Sequence, residues 1–285
     1  MKKSYPMNLR SVLINRTMKK VLLTSLIMLT HLLGSGQLYL QSANGSITIS
    51  PSGLTGKFKN SINASNVALG AGALDSLMNV AFYNTSVGVG ALNKLTSGGY
   101  NVALGSSTIS KLRLSGFNTA LGAFSMVNLT DESNSLSENN VGVGYGTFGW
   151  VLKSNGNTAI GTNSQNGAVG FPGVSNDNTS VGNRSMANNQ TGSFNTSTGA
   201  YSLESISTGD SNSVVGAFSG FSNTTGDRNV FLGMEAGYSN SIGDRNVFIG
   251  YRAGYNNVNG NDNLVIENSD AANPLIIGNF ASNKL

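Results

Sequence analysis

The sequence predicts an all-β fold, a single-stranded parallel β-solenoid or β-roll of about twelve coils with a 17-residue period. Twelve times between Asn66 and Asn263 a cassette opens with Asn, continues through a short apolar stretch and, in eleven cases, reaches Gly at its fifth place. Eight of the eleven steps between openers are 17 residues, and the others are 18, 22 and 21. A fixed period with a few insertions is typical of coils that bury their apolar faces against their neighbours.

Residues 1–36 are predicted to be a leader that contains a secretory signal peptide. Met18-Lys19-Lys20 precedes an apolar run over 21–33, which ends in the small residues of 34–36. We therefore expect translation to start at Met18 and cleavage to fall before Gln37 or a few residues later. The run is too short and too often interrupted by polar residues for a membrane span, so an uncleaved anchor is the weaker alternative.

The charge balance depends on this leader. Six of the 17 basic residues lie in 1–36, which leaves 11 basic against 13 acidic side chains in the rest of the chain. The sequence pI of 9.3 therefore reflects the predicted export signal. Because the remaining chain has no basic patch, nucleic acid is not an expected partner.

Histidine and cysteine are nearly absent. The single histidine, His31, falls in the leader, and the chain has no cysteine. This composition excludes histidine acid–base catalysis, cysteine nucleophiles, disulfides and zinc sites built from these residues. We expect a protein that is not an enzyme and that has no catalytic, cofactor or metal site.

The first five places of each cassette predict a short strand followed by a turn. With the opening Asn as place one, place two is mostly Val or Thr and place four is aliphatic in eleven of twelve coils. Alternation of this kind favours an extended backbone with two faces. We assign places two and four, such as Leu69, Leu104 and Ile249, to the interior.

On that assignment place three faces outward. It is small in the first eight coils and larger and apolar in the last four. Stacked apolar side chains on an outer surface indicate contact with another chain. The predicted oligomer seam consists of Val214, Phe231, Phe248 and Val265.

The Asn and Gly places are predicted to be structural turn positions. Gly at place five allows a backbone dihedral that is forbidden to other residues. A repeated Asn at a corner tolerates a left-handed turn and bonds the neighbouring coil through its amide. These positions are Asn66, Gly70, Asn84, Gly88, Asn101, Gly105, Asn118, Gly122, Asn229, Gly233, Asn246 and Gly250.

The repeat boundaries divide the rest of the chain. Residues 37–65 are predicted to form an N-terminal cap, 66–262 the repeat solenoid, and 263–285 the last coil with a C-terminal cap. Insertions in solenoids emerge as loops, which commonly carry binding residues. The predicted contact loops contain Asp131, Glu132, Phe171 and Pro172, with tolerated length variation as the alternative.

Three acidic residues share one place in consecutive coils. Asp210, Asp227 and Asp244 each follow Gly, so their carboxylates are expected to form a ladder. Calcium between the coils is one interpretation. Ordinary Gly-Asp turn chemistry, with Arg228 and Arg245 adjacent, is the favoured one.

The cassettes that start at Asn66, Asn84 and Asn118 resemble the head repeats of trimeric autotransporter adhesins, the YadA-like heads of Gram-negative bacteria. The resemblance covers Asn66 to about Asn263. It implies a left-handed parallel β-roll, three chains side by side, and binding to host matrix, cell surfaces or other surfaces. The period here is longer than the usual head repeat, and the sequence given contains no coiled-coil stalk or membrane barrel.

The expected function is that of an exported adhesin or structural rod, either secreted or on the surface of a Gram-negative cell. We expect the chain to form a homotrimer. A different class, a polysaccharide-binding or polysaccharide-degrading parallel β-helix, is the alternative. Three or more carboxylates and arginines converging on one groove would favour that alternative.

Overall fold

The computed structural model describes residues 38–42, 45–50, 53–55, 66–76, 80–131, 136–167 and 174–285. The predicted leader, most of the predicted N-terminal cap, and Glu132, Phe171 and Pro172 lie outside these residues. Within them the regular elements are all β-strands, most of them three residues long. The strands are β1 (Leu38–Ser42), β2 (Gly45–Ser50), β3 (Gly53–Thr55), β4 (Val67–Leu69), β5 (Thr85–Val87), β6 (Val102–Leu104), β7 (Thr119–Leu121), β8 (Val141–Val143), β9 (Lys153–Asn155), β10 (Thr158–Ile160), β11 (Val174–Asn176), β12 (Thr179–Val181), β13 (Thr196–Thr198), β14 (Ser213–Val215), β15 (Val230–Leu232), β16 (Val247–Ile249), β17 (Asn263–Ile266) and β18 (Ile276–Asn279).

The chain divides into two compact units, Met1–Lys57 and Phe58–Leu285. In the first unit, β1, β2 and β3 form an antiparallel sheet in which β2 is central. β1 pairs with β2 and β2 pairs with β3, so neighbours in this sheet are also neighbours in the chain. This arrangement is the usual one for strands joined by short connections.

The second unit is a parallel β-solenoid of about 11 turns with a 17-residue period, which confirms the predicted fold class. Twelve strands, from β4 to β17 without β9 and β11, pair in parallel in sequence order. The register is constant, because place two always pairs with place two, as in Val102↔Thr119. Since twelve strands bound eleven complete laps, the predicted count of about twelve coils is close to the observed number.

The longer coils and the C-terminal end depart from this pattern. β9, at the end of the 17-residue coil that opens at Asn140, and β11, at the end of the longer coil that opens at Asn157, form a separate two-stranded parallel sheet just before Asn157 and Asn178. At the C-terminal end, β18 pairs antiparallel with β17, as in Val265↔Ile277. The final lap therefore folds back on the sheet and covers the edge of its last parallel strand.

The glycine at place five ends each short strand for two independent reasons. Gly88 has a φ of 134°, a value that L side chains rarely adopt. A Cβ on Gly88 would also lie 2.3 Å from the carbonyl oxygen of Gly105 in the next coil. The coils therefore stack this closely at the corner only because place five of the earlier coil has no side chain.

Left-handed backbone occurs at other places as well, and it does not fall on the opening Asn. Places seven and nine and the residue before Asn have positive φ, as at Tyr100 (61°), Phe117 (60°) and Leu92 (48°). None of the Asn openers is among the left-handed residues of the described chain. The left-handed residue predicted at the opening Asn therefore lies one position earlier in the chain.

The strand faces are the reverse of the prediction. Place three is buried in eleven of the twelve strands, whereas every residue at places two and four is half-buried or exposed. Leu69, Leu104 and Ile249 do align in one column through successive pairings, but the column lies on the outer face, where Leu104 is 46% exposed. The interior assignment of places two and four was wrong.

The reason is that place nine fills the interior. In the first eight coils a large side chain at place nine, such as Leu92 or Ile109, is fully buried and leaves room only for a small residue at place three. In the three coils that open at Asn212, Asn229 and Asn246 place nine is Gly, and in two of them Phe231 and Phe248 occupy the same space. A Cβ on Gly237 would lie 2.9 Å from the ring of Phe231.

Candidate functional site

The outer face of the parallel sheet is an unusual surface of the described chain. Its place-four column is aliphatic and partly exposed, with Ile160, Val215 and Leu232 at 39%, 44% and 48% exposure. Its place-two column is Thr or Val in ten of the twelve coils. The result is a continuous strip of β-branched and aliphatic side chains along the sheet.

The seam predicted at place three lies inside the solenoid. Val214, Phe231 and Phe248 are fully buried, and Val265 is 9% exposed. The rings of Phe231 and Phe248 stack on each other with centroids 5.1 Å apart. These four side chains belong to one core cluster, so they are not available for contact with another chain.

An exposed aromatic ladder borders the strip in the N-terminal coils. Tyr83, Tyr100 and Phe117 occupy the residue before the opening Asn in three consecutive coils. Their centroids are 5.0 and 5.1 Å apart, and each side chain is more than half exposed. Since each ring covers the faces of its neighbours, the ladder presents mainly ring edges to solvent.

The opening Asn residues form a buried hydrogen-bond ladder. The backbone N–H and the side-chain Nδ2 of Asn101 both donate to Oδ1 of Asn84 in the preceding coil, at 3.0 Å each. Nδ2 of Asn101 also donates to the carbonyl of Ser115, which closes its own coil. The same pattern recurs at Asn212 and Asn229, and this indicates a structural role for the amides.

The acidic ladder makes turn hydrogen bonds. Oδ1 of Asp227 accepts the backbone N–H of Asp210 at 2.8 Å, and Oδ1 of Asp244 accepts that of Asp227 at 2.8 Å. Asp210 accepts the N–H of Ser193 in the same way. One carboxylate oxygen per coil is thus used to join successive turns, as the turn interpretation expects.

Asp131 is not a surface contact residue. It is 5% exposed, and its carboxylate accepts hydrogen bonds from the backbone N–H groups of Arg113, Leu114 and Ser115 and from the Ser115 hydroxyl. The carboxylate therefore satisfies the backbone of the preceding coil. The predicted contact role of Asp131 was wrong, because the insertion begins only after this buried residue.

Sequence reasoning missed several regular features of the interior. Place twelve supplies a third core column in the N-terminal coils, including Leu95, Leu112 and Leu129. Gln165 is the one polar residue among the large side chains at place nine, and it is fully buried with no partner for Oε1. A column-by-column comparison at the 17-residue spacing would have shown both.

A cleft lies at the C-terminal end of the solenoid, between the last complete coil and the segment that connects β17 to β18. Its volume is about 290 Å³. The residues that line it include Arg252, Tyr255, Glu267, Asp270 and Ile277. Tyr255 is also the last ring of a second aromatic ladder, because it stacks on Tyr238 at 5.0 Å.

Charged groups in this end of the chain are held in defined pairs. Nε of Arg252 donates to Oε2 of Glu235 at 2.6 Å, and Nε of Arg245 donates to Oδ1 of Asp262 at 2.6 Å. The second hydrogen bond holds the pKa of Asp262 below its ordinary value. The pKa of Glu267 is also lowered, because its carboxylate accepts the backbone N–H groups of Asn268 and Leu275.

Two further observations concern the described residues alone. They contain no cluster of three or more His, Cys, Asp or Glu side chains able to hold a metal ion. They also contain no long apolar helix that would cross a bilayer.

Comparison of the chain with models of known protein families, with curated proteins and with solved structures returns no match.

Proposed function

We propose that this chain is an exported, non-enzymatic adhesin or structural rod in which three copies associate side by side. The observation that carries the proposal is the outer face of the parallel sheet. Aliphatic side chains at place four are partly exposed in coil after coil, from Leu104 to Leu232. A soluble protein rarely leaves a regular apolar strip uncovered, and such strips commonly mark interfaces.

The dimensions of the strip support an interface between chains. Twelve strands spaced about 4.8 Å apart, each with three residues of about 3.3 Å, give a strip of about 55 by 10 Å, or about 550 Å². A stable interface buries about 800 Å² per partner. Exposed apolar residues at place six, including Val89 and Met234, and the aromatic ladder widen the strip on either side.

The resemblance to trimeric autotransporter heads suggests the partner, two further copies of the chain, and the location, a cell surface. Those repeats associate side by side in threes and act at cell surfaces, and a predicted signal peptide precedes the repeats here. We propose membership of the same class for the segment from Asn66 to Asn263. The relocated seam consists of the place-two and place-four columns rather than place three.

The test is sedimentation of the full chain, with a variant pair on the strip and a matched pair away from it. Leu104→Lys with Leu232→Lys alters two place-four residues that are 46% and 48% exposed. Leu114→Lys with Ile242→Lys alters two place-fourteen residues that are 46% and 50% exposed, in the same two coils. The pairs match in coil, hydrophobicity and exposure and differ only in the face.

We expect the unaltered chain and the place-fourteen variant to sediment as trimers, and the place-four variant to sediment as a monomer with an unchanged circular dichroism spectrum. Burying two lysines per chain in an apolar seam leaves their charges without partners. An unaltered chain that is monomeric at micromolar concentration would refute the assembly. Equal effects of the two pairs would refute the assignment of the seam.

A further inference from the structure

The C-terminal cleft is the part of the described surface where apolar, aromatic and charged groups converge. The ring of Tyr255 and the side chain of Ile277 supply apolar walls. Arg252, Glu267 and Asp270 supply one positive and two negative groups. An apolar pocket with a few convergent polar groups is the usual form of a small-ligand site.

Arg252 is held in place before any ligand arrives. Nε of Arg252 donates to Oε2 of Glu235 at 2.6 Å, and its NH1 group lies 3.7 Å from Oδ2 of Asp270. The guanidinium also lies 5.1 Å from the ring centre of Tyr255. Because these contacts restrict its rotamers, little further entropy is lost when a ligand accepts a hydrogen bond from its remaining N–H groups.

The two carboxylates in the cleft differ in their ability to accept further hydrogen bonds. Both oxygens of Glu267 accept backbone N–H groups, from Asn268 at 2.6 Å and from Leu275 at 2.8 Å. Asp270 is half exposed, and its contact with Arg252 is longer than a normal hydrogen bond. Asp270 therefore retains acceptor positions directed at solvent, whereas Glu267 serves mainly to shape the connecting segment.

The charge balance selects the kind of ligand. Arg252 is already opposed by Glu235 and Asp270, and Glu267 adds a further negative charge, so an anion would meet net repulsion. A neutral molecule with several hydroxyl groups and an apolar C–H face suits the remaining groups. Hydroxyls bond to Asp270 and Arg252, and C–H groups pack against the apolar side chain of Ile277 and the ring of Tyr255.

The volume limits the size of that ligand. At about 290 Å³ the cleft falls at the lower end of the range for small-molecule pockets. It accommodates one sugar ring rather than a run of several. Hydrolysis is not favoured by this arrangement, because a glycosidase needs a protonated carboxylic acid beside its carboxylate, and Glu267 is held ionised by two backbone donors.

We propose that this cleft binds a single neutral sugar residue of a glycan at the C-terminal end of the rod. The site is complete within one chain, so the inference does not depend on assembly into trimers. Combined with the adhesive role proposed above, it supplies the ligand class of the contact.

The experiment titrates the full-length chain with four small probes and monitors binding by saturation-transfer NMR. Three are neutral: the methyl glycosides of glucose, galactose and N-acetylglucosamine. The fourth is glucuronate, which has a similar ring with a negative charge. We expect at least one neutral glycoside to bind with a dissociation constant in the millimolar range and glucuronate to bind at least about tenfold more weakly.

Matched variants locate the binding. Asp270→Asn and Tyr255→Leu are expected to weaken binding of the neutral glycoside about tenfold, the effect of losing one useful contact. Asp210→Asn and Tyr201→Leu are the controls, because they alter the same residue types in earlier coils outside the cleft, and the ring of Tyr201 stacks on Phe218 rather than on a cleft residue. These controls are expected to leave the dissociation constant unchanged.

Three results would overturn the inference: no binding of any neutral glycoside, tighter binding of glucuronate, or equal effects of cleft and control variants. Thermal unfolding of each variant verifies that it is folded before its titration is interpreted. The sedimentation test of the trimer is separate, so either proposal can fail while the other stands.

Discussion

The N-terminal and C-terminal coils fill the same interior in two different ways. Where place nine is Leu, Ile, Met or Phe, as at Leu92, place three is Ala, Ser or Gly; where place nine is Gly, as at Gly237, place three is Val or Phe. The buried side chains form two core clusters, one up to Ala159 and one from Met186 onward, and the second cluster contains both ways of filling the interior. A constant coil geometry therefore conserves the filled volume, not the residue that fills it.

The two solutions differ in backbone strain. Place nine is left-handed throughout, with φ of 48° at Leu92 and Ile109 and 62° at Gly237 and Gly254. A non-glycine residue in this conformation costs about 1–2 kcal/mol. Burial of its large side chain contributes about 1.5–3 kcal/mol, so the N-terminal solution remains favourable. The C-terminal coils avoid the strain by moving the large side chain to an extended strand.

The largest expected effect is at the C-terminal core. Phe231→Ala should destabilise the protein by about 3–5 kcal/mol, because neighbouring Gly237 cannot fill the resulting cavity. Urea unfolding measures the loss. The matched control is Phe194→Ala, since Phe194 is 64% exposed and its truncation should change stability by less than about 0.5 kcal/mol. Similar losses for both variants would contradict the inward position of Phe231.

A slightly smaller effect tests whether the two solutions are interchangeable. Gly237→Leu alone should cost about 2–4 kcal/mol, because the new side chain overlaps the ring of Phe231 and adopts a left-handed backbone. Combined with Phe231→Ala it converts the coil to the N-terminal type. We expect the double variant to be more stable than either single variant, as a double-mutant cycle would show. Additive losses would mean that the two places do not share one volume.

The junction between the two clusters should be a weak point. Gln165 is fully buried there, and its Oε1 has no partner among the described residues. Gln165→Met should stabilise the protein by about 1 kcal/mol and sharpen its unfolding transition, because it removes an unpaired acceptor and continues the apolar column. Gln190→Met, a half-buried change, is the control. Destabilisation by Gln165→Met would show that its amide hydrogen bonds outweigh the unpaired oxygen.

The smallest effect is a pH dependence confined to the C-terminal end. The pKa values of Asp262 and Glu267 are lowered from 3.8 and 4.5 by hydrogen bonds. A carboxyl group whose pKa is lower in the folded state stabilises the protein when the pH is above its unfolded-state pKa. This stabilisation is lost as the pH falls through the folded-state pKa. Hydrogen exchange should therefore increase around β17 and β18 below about pH 4.5 while β6 and β7 remain protected. Asp262→Asn with Glu267→Gln should remove the difference.

Much of the fold could be predicted from local chemistry. Gly at place five is necessary at Gly88 because of both its dihedral and its contact with Gly105, so the period of glycines predicts the turns directly. The opening Asn is equally informative, since Asn84 and Asn101 bond each other across a constant step. Such signals repeat because every coil meets an identical neighbour.

The candidate sites were harder to predict. Alternation along three residues shows that two faces exist, but it does not show which one is inside, and both faces here carry small or apolar residues. The informative relation is between places three and nine of one coil: large Phe231 accompanies Gly237, and small Ala103 accompanies large Ile109. The cleft around Arg252 and Asp270 had no local signal, because its walls come from two segments that meet only after the hairpin of β17 and β18 forms.

The sequence by itself determined the period, the turn residues and hence a parallel solenoid, because these follow from backbone dihedrals and hydrogen bonds that each coil repeats. Only the tertiary structure decided which side of the sheet is the core, since that depends on how the return segment of each lap crosses behind the strand. In the first eight coils the large side chain at place nine, such as that of Leu92, occupies the enclosed space. The place-four column is left outside, where we propose that other chains cover it.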